Sequence, residues 1–288
     1  MKIGVTGATG HLGRLAIQGL LERQPANDII AIVRNEAKAA DLAQAGVQVR
    51  VADYDDPASL QIALAGVEKL LLISSSEVGR RFPQHKNVID AAKSAGVKHL
   101  VYTSAPKATT SALLLAPEHK ATEEYLADSG LTCTVLRNGW YTENYTENYV
   151  QTIEAAKQSG KVVAAAGEGR VASAARADYA AGAVSVLMGQ GHEGKVYECS
   201  GDYAWDYREL ANAIADIIGR PVVYQPVDAP TMIEILKGAG LDEGTAGFLA
   251  TLDENTAAGL LSVCTGELSS LIGRPTTPLK EGLQAAIG

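Results

Sequence analysis

The sequence predicts an α/β protein built on a doubly wound parallel sheet, with a smaller, mainly helical α/β lobe after it. Three observations carry this. Six short apolar runs alternate with helical patterns through the first half of the chain. The first run leads directly into a glycine-rich loop and an apolar-periodic segment. Glycines then stand where the successive helices should stop.

Ile3-Gly4-Val5 is the first buried strand. Thr6-Gly7-Ala8-Thr9-Gly10-His11-Leu12-Gly13 follows, and Leu12, Leu15, Ala16, Gly19 and Leu20 recur at helical spacing. Strand, loop and helix thus come in the order of a Rossmann-like dinucleotide site. Gly7 lets the chain turn off the strand, Gly10 admits a pyrophosphate close to the backbone, and Gly13 lets the helix approach the sheet. The helix N-terminus offers unpaired N–H groups to phosphate. His11, inside this loop, is expected over the phosphates.

Further strands are predicted at Ile29-Val33, Val47-Val51, Leu70-Ile73, Leu100-Tyr102 and Thr134-Leu136. Helical patterns lie near 11–23, 36–45, 57–65, 81–95 and 116–129. Gly46, Gly66, Gly96 and Gly130 fall at C-cap positions; Asn35 and Asp56 fall near helix starts, with Pro57 suited to a first turn. Right-handed crossovers then gather the loops after strands one, two and four around one crevice. Beyond about residue 150 the rhythm loosens. A helix near 142–158, a strand at 162–164, a helix near 177–188, strands at 195–199 and 222–225, and a helix at 207–218 precede a tail of short helices. The expected division is a nucleotide-binding domain over 1–150 and a smaller substrate-covering lobe over 151–288, interleaved with it.

Composition narrows the function. The net charge of −8 argues against non-specific binding to nucleic acid or anionic membrane. The apolar run Leu70-Leu71-Leu72-Ile73 is far too short to span a bilayer. The N-terminus enters a strand at once, with no pattern of a signal peptide. Cys133, Cys199 and Cys264 lie far apart without a CxxC pair and read as reduced cysteines of a cytoplasmic protein, not as metal ligands. The oligomeric expectation stays at monomer or homodimer.

The cofactor is read from the end of strand two. A carboxylate there suits the ribose of NAD and repels the 2′-phosphate of NADP. Here Arg34-Asn35 follows the strand. A guanidinium presents a planar fork of donors to that phosphate, in bonds of about 1.5–3 kcal/mol. Lys38 adds a second cation. NADPH is therefore favoured, against a solvated loop role for Arg34. Asp53, ending strand three, is a candidate acceptor from adenine or a helix cap. Ser74-Ser75-Ser76, ending strand four, permits close approach to the nicotinamide-side ribose, or forms a polar turn.

The element order and glycine loop resemble the extended and atypical short-chain dehydrogenase/reductases. Their usual members carry a Tyr-x-x-x-Lys pair as proton relay. No tyrosine of this chain has lysine four residues on, which argues against epimerase and ordinary alcohol dehydrogenase chemistry. Ile32-Val33-Arg34-Asn35, Leu71 to Gly79, Leu136-Arg137-Asn138-Gly139-Trp140-Tyr141, Ala177 to Ala181 and Leu271-Ile272-Gly273-Arg274-Pro275 are similar to the NmrA-like branch of that superfamily, over essentially the whole chain. The resemblance implies an NADPH-dependent reductase of quinones, or of triphenylmethane dyes, working without flavin. It also implies cofactor contacts at Gly7, Ala8, Thr9, Gly10, His11 and Leu12, at Arg34, at Ser74 to Ser76, and at Asn138, Gly139, Trp140, Tyr141, Thr142 and Glu143.

A quinone reduced by hydride becomes a resonance-stabilised, weakly basic anion, so positioning and donors near its oxygen matter more than a strong acid. Tyr141 and His119 are the catalytic candidates; histidine can supply a proton near neutral pH. The alternatives are core packing for Tyr141 and Trp140 and a surface helical position for His119. Asn144 and Asn148 can reach the cleft or belong to a solvated face. Asp178 is expected to be structural, through the helix dipole. A second function class stays open, an NADP(H)-binding redox sensor that regulates a partner without turnover.

Overall fold

The computed structural model describes residues 1–147 and 152–287. Its first half runs β1 (Ile3–Thr6), α1 (His11–Leu21), β2 (Ile29–Val33), α2 (Ala40–Gln44), β3 (Gln48–Val51), α3 (Pro57–Leu64), β4 (Lys69–Leu72), α4 (Arg81–Ser94), β5 (His99–Ser104), α5 (Ala116–Ser129) and β6 (Cys133–Asn138). The six predicted strands and five helical patterns are all present. The region near 36–45 is a short 3-10 turn (Glu36–Ala39) running into α2. Gly46, Gly66, Gly96 and Gly130 have φ between 72° and 85°, the left-handed stop that lacks a steric cost only for glycine. Asp56 accepts from the N–H groups of Ala58 and Ser59 ahead of Pro57, and Asn35 accepts from Ala37 N–H.

The chain continues through α6 (Thr152–Ser159), β7 (Lys161–Ala164), β8 (Arg170–Val171), α7 (Arg176–Met188), β9 (Val196–Cys199), β10 (Trp205–Asp206), α8 (Tyr207–Ile218), β11 (Val223–Pro226), α9 (Ala229–Gly238), α10 (Glu243–Ala257), α11 (Glu267–Ile272) and α12 (Leu279–Ile287). The helix expected near 142–158 is instead a 3-10 turn, Thr142–Tyr145, and α6; the stretch between them, with Asn148, lies outside the described residues.

One parallel sheet of seven strands, in the order β3-β2-β1-β4-β5-β6-β9, forms the centre. Strands β1, β2 and β5 are buried along their whole length, as helix-covered parallel strands must be, while the edge strands β3 and β9 are half-exposed. On one face α1 and α7 pack with Ile3, Val5, Ile17, Leu20, Tyr179 and Val184 in the core. The other face is closed by α3, α4 and α5 around Leu60, Leu70, Val88, Leu100 and Tyr102. β9 returns from late in the chain to become the seventh strand beside β6. The residues around it build a separate core on Trp205, Tyr207, Leu210 and Ile214, beside the parallel pair β7–β11 and the antiparallel pair β8–β10.

The strand order reverses between β1 and β4, and the chain locks that junction. Tyr54 reaches from the end of β3, its hydroxyl 2.5 Å from Thr6 Oγ1 and 2.8 Å from Ile73 O. Thr6 Oγ1 in turn donates to Leu71 O and accepts from Ile73 N–H. Burial pushes the Tyr54 phenol well above its ordinary pKa, so it stays a protonated donor. The first helix is held as closely. A Cβ added to Gly13 would lie 2.4 Å from Gly7 O and 2.8 Å from Ala8 Cα.

Gly13→Ala should therefore lower the melting temperature by several degrees. Overpacking against backbone costs about 1–3 kcal/mol, and about 2–4 °C accompany each kcal/mol in a chain of this size. A Cβ added to Gly247 in α10 would meet no neighbouring atom within 4 Å, so Gly247→Ala should leave stability unchanged or raise it. Equal thermal shifts for the two variants would contradict the close-packing account.

Candidate active site

Loops after four strands enclose a cleft of about 410 Å³. Gly7, Thr9 and Gly10 supply one wall, Ile32 to Asn35 and Lys38 a second, Ala52 to Tyr54 a third, and Ile73 to Glu77 the last. This is the crevice expected from the loops after strands one, two and four, widened by the end of β3. Gly7 has φ 58°, and Gly10 N–H donates to Gly7 O at 2.9 Å. That tight turn leaves the start of α1 open toward the cleft, where backbone N–H groups suit a phosphate. The glycine turn, the bare helix start and the adjoining cations fit a dinucleotide phosphate.

Of the sequence-predicted residues, Gly7, Thr9, Gly10, Arg34, Lys38, Asp53 and Ser74 to Ser76 line this cleft. Ala8, Leu12 and Gly13 are buried beneath the loop, so only their backbone can face a ligand. His11 is exposed at the rim, with Nε2 3.9 Å from Glu147 Oε2. Asp53 accepts from Asp55 N–H and contributes to the turn before α3.

The cationic side of the cleft contains a residue that the sequence reading missed. Arg14, one turn into α1, donates through Nε to Thr9 O at 3.3 Å and through Nη2 to Lys38 O at 2.6 Å, and pairs with Asp41. It ties the glycine loop to the segment after β2. Its signal was a cation directly after the third glycine. Arg34 Nη1 donates to Glu77 Oε1 at 3.0 Å, and Glu77 also takes Arg80. With the Arg34 side chain 64% exposed, this pair contributes little on its own, and Arg34 remains available to an anion.

A second group of polar residues lies at the ends of β4, β5 and β6. Ser75 N–H donates to His85 Nε2 at 2.9 Å. That nitrogen accepts, so the hydrogen-bond directions assign the imidazole proton to Nδ1, 3.0 Å from Thr122 Oγ1. The Thr122 hydroxyl is committed to Glu118 O. The Tyr102 hydroxyl lies 2.7 Å from His119 Nδ1 and 3.3 Å from His85 Nδ1. Both rings are neutral. Burial, with the Arg81 guanidinium second, holds each at a pKa of about 3. His119 is therefore not the surface residue expected as the alternative, and no imidazolium stands there to give a proton near neutral pH. Tyr102 is pushed far above its ordinary range by burial. Tyr141 is also raised by burial; its ring packs edge-on to Tyr179 at 5.1 Å and under the Arg176 guanidinium at 5.3 Å.

Beside this group three side chains carry buried polar atoms without a hydrogen-bond partner among the described residues: Asn138 at both amide atoms, Trp140 at Nε1 and Arg81 at Nη1. A buried polar group left unpaired costs about 1–3 kcal/mol, so each calls for a ligand or water. Asn138 ends β6, where Gly139 must pass close to Cys199 O and the Tyr179 hydroxyl. The rest of the expected segment has structural partners. Thr142 Oγ1 is 2.9 Å from Ser173 Oγ. The Glu143 carboxylate accepts from Arg176 N–H and caps α7. Trp140 packs with the separate core of Trp205 and Tyr207, and Tyr141 with the α1–α7 face. Asp178 is fully buried on Arg274 Nη2 and Thr277 N–H, so it anchors the tail through direct bonds and not only through the helix dipole.

Residues 7–188 match a family model described as NAD(P)H-binding. Quinone oxidoreductase 2 of Escherichia coli strain K12 is 52% identical over 281 residues, which cover 98% of this chain and 97% of that protein. The crystal structure of the NADPH-dependent quinone oxidoreductase QOR2 of Escherichia coli complexed with NADPH superposes with a TM-score of 0.94 at 51% identity, over 99% of this chain and 100% of that one. Citrobacter sp. triphenylmethane reductase complexed with NADP(H) does so with a TM-score of 0.94 at 42% identity, over 99% of this chain and 100% of that one.

The neutral histidines have a pH signature. Unfolded, each titrates at about 6.5; folded, His85 titrates at about 3. The stability tied to its neutral state is complete above pH 6.5 and is lost as the pH falls from 6.5 toward 3. His85→Gln, whose amide oxygen can still accept from Ser75 N–H, should make the fall in melting temperature between pH 6.5 and 4.5 shallower, by up to about 1.4 kcal/mol per pH unit. Parallel curves for the two proteins would refute the neutral assignment.

Proposed function

This chain belongs to the NAD(P)H-binding family, and from that premise we propose that it is an NADPH-dependent quinone reductase that passes hydride to the acceptor without a flavin. One observation supports this choice of acceptor above the others. Around the reacting half of the site, His85 and His119 are held near 3, and Tyr102 and Tyr141 are raised above their ordinary value. No acid in this group is poised to give up a proton at neutral pH. A ketone reduced there would become a strongly basic alkoxide with no donor ready. A quinone becomes a weakly basic hydroquinone anion that can leave for solvent before it is protonated.

The assignment of residues follows the strand order. The loop from Gly7 to Gly10 and the start of α1 hold the pyrophosphate. Arg34, with Lys38 and Arg14 beside it, takes the 2′-phosphate, and Asp53 faces the adenine side. Ser74 to Ser76 and Asn138 hold the nicotinamide half over β4, β5 and β6; the unpaired Asn138 amide, with one acceptor and one donor group, complements a carboxamide. Bound NADPH supplies the hydride. His85 fixes the Ser75 turn through its backbone N–H, and Tyr102 fixes His119. The lobe after residue 150 covers the acceptor. Among the described residues no helix is long and apolar enough to cross a membrane, and the proposal includes a small-molecule acceptor met in the cytoplasm.

The test is the loss of absorbance at 340 nm with NADPH, and separately NADH, using benzoquinone and a substituted naphthoquinone and protein shown to carry no flavin. Rapid, NADPH-selective oxidation is expected. Tight NADPH binding without turnover on any acceptor would favour a redox sensor. Arg34→Glu should weaken NADPH about 10- to 150-fold more than NADH, the equivalent of one charge-assisted bond. Equal losses for both cofactors would remove the 2′-phosphate from Arg34.

A further inference from the structure

Arg81 is a cation in the wrong place for a surface residue. It opens α4, yet its side chain turns inward to the ends of β4 and β5. Nε donates to Ser75 O at 2.7 Å, the same serine whose N–H donates to His85. Its backbone N–H donates to Glu118 Oε1 at 2.9 Å, and Glu118 Oε2 accepts from Gly79 N–H. The nearby carboxylate is therefore occupied by backbone, and Arg81 Nη1 is left buried without a partner among the described residues. Through Ser75, whose O takes Arg81 and whose N–H takes His85, the guanidinium is tied to the turn that lines the cleft. It thus lies at the end of β4, behind the Ser75 turn that forms one wall of the cleft.

An Nη1 group so placed is a donor waiting for an oxygen. Its charge also suits an oxygen that becomes negative during the reaction, since a fixed cation in a dry site stabilises developing charge without reorganising. We propose that Arg81 donates through Nη1 to the acceptor oxygen on which negative charge develops during hydride transfer, and is thereby a catalytic residue of this enzyme. The inference rests on the quinone-reductase reading. In the step, the C4–H bond of the reduced nicotinamide breaks and its electron pair and hydrogen pass to the quinone. The nicotinamide is oxidised, and the quinone is reduced to the hydroquinone monoanion. That anion takes one proton from water to give the hydroquinone. Arg81 stays protonated throughout and acts by charge and hydrogen bond alone. The role differs from that of Arg34, which is exposed on the adenosine side and faces a charge that does not change in the reaction.

The experiment compares wild type, Arg81→Met and Arg81→Lys over a series of substituted benzoquinones and naphthoquinones whose hydroquinones span a range of pKa. NADPH affinity is measured separately by fluorescence titration. Loss of one charge-stabilising donor of this kind lowers kcat about 100-fold or more. The expected result for Arg81→Met is that loss in kcat, a change below threefold in NADPH Kd, a greater loss for acceptors with more basic hydroquinones, and partial rescue by added guanidinium chloride. Arg81→Lys should retain part of the rate and show the same dependence on acceptor basicity. It carries the test if Arg81→Met fails to fold for want of its bond to Ser75. A loss that is uniform across acceptors, unrescued by guanidinium and matched by an equal loss of NADPH affinity would overturn the proposal and make Arg81 a support for the Ser75 turn. If wild type oxidises NADPH with none of the quinones, the quinone-reductase reading fails first, and this inference with it.

Discussion

The approach of α1 to the end of β1 is the constraint on which the rest of the site depends. Gly13 lies so close to the Gly7 carbonyl that no side chain fits between them. Gly7 can accept this because its φ of 58° costs glycine nothing sterically. The contact fixes the helix start over the strand end, and several features follow from its direction. The open N–H groups of α1 face the crevice. Arg14, one turn on, reaches Thr9 O and Lys38 O. Gly19, farther along the same helix, lets α7 close against it near Val184. A helix displaced outward by one methyl group would loosen all three.

The two ends of the cleft are built on opposite electrostatic plans. The side proposed for the adenosine is exposed and charged, with Arg34, Glu77, Arg80 and Asp55 joined by exposed ion pairs. Such pairs contribute about 0–1 kcal/mol each and exchange partners readily, which suits a site that must accept and release a polyanion. On the side assigned to the reaction the charged groups, Arg81, Glu118 and Arg176, surround a cluster of uncharged histidines and tyrosines. Its histidines are neutral and its tyrosines protonated, and the Ser75 N–H sets the tautomer of His85. Neither histidine and neither tyrosine of this cluster changes charge near neutral pH. The arrangement holds the strand-four turn rigid and keeps competing acid–base chemistry away from a hydride donor.

The fold was largely legible because its signals are local. Apolar runs, glycine C-caps and the caps Asn35 and Asp56 each act within a few residues of themselves. β9 was recognised as a strand, but its place beside β6 was not, since pairing across more than fifty residues leaves no local mark in the sequence. The cleft on the adenosine side was legible for the same reason as the fold. Arg34, Asp53 and Ser74 to Ser76 follow strands, and strand ends converge by topology. The reacting side was much less so. His119 reads as a helical histidine, and nothing in the spacing says that Tyr102 lies 2.7 Å away or that burial removes its charge. Arg81 reads as an ordinary cation at a helix start. Thr142 and Glu143 look like continuations of a cofactor segment, whereas their side chains tie Ser173 and the start of α7.

Helix α5 explains why this site departs from proton-relay chemistry at a structural level. His119 and Glu123 stand four residues apart and are both buried, on one face of the helix. A Tyr-x-x-x-Lys helix would direct a phenol and a cation toward the substrate. Here the second position is a carboxylate, and its charge is already bound. Glu123 accepts from Arg137 Nη2 at 2.6 Å and from Ser104 Oγ at 2.6 Å, while Arg137 Nη1 donates to Glu198 of β9 at 2.8 Å. Those bonds join α5 to β5, β6 and β9, and removing one partner would strand a buried charge at a cost of about 3–5 kcal/mol. The helix is thus committed to holding the sheet edge together. A cation able to act on the reacting atoms has to come from another element, and in this chain α4 supplies it.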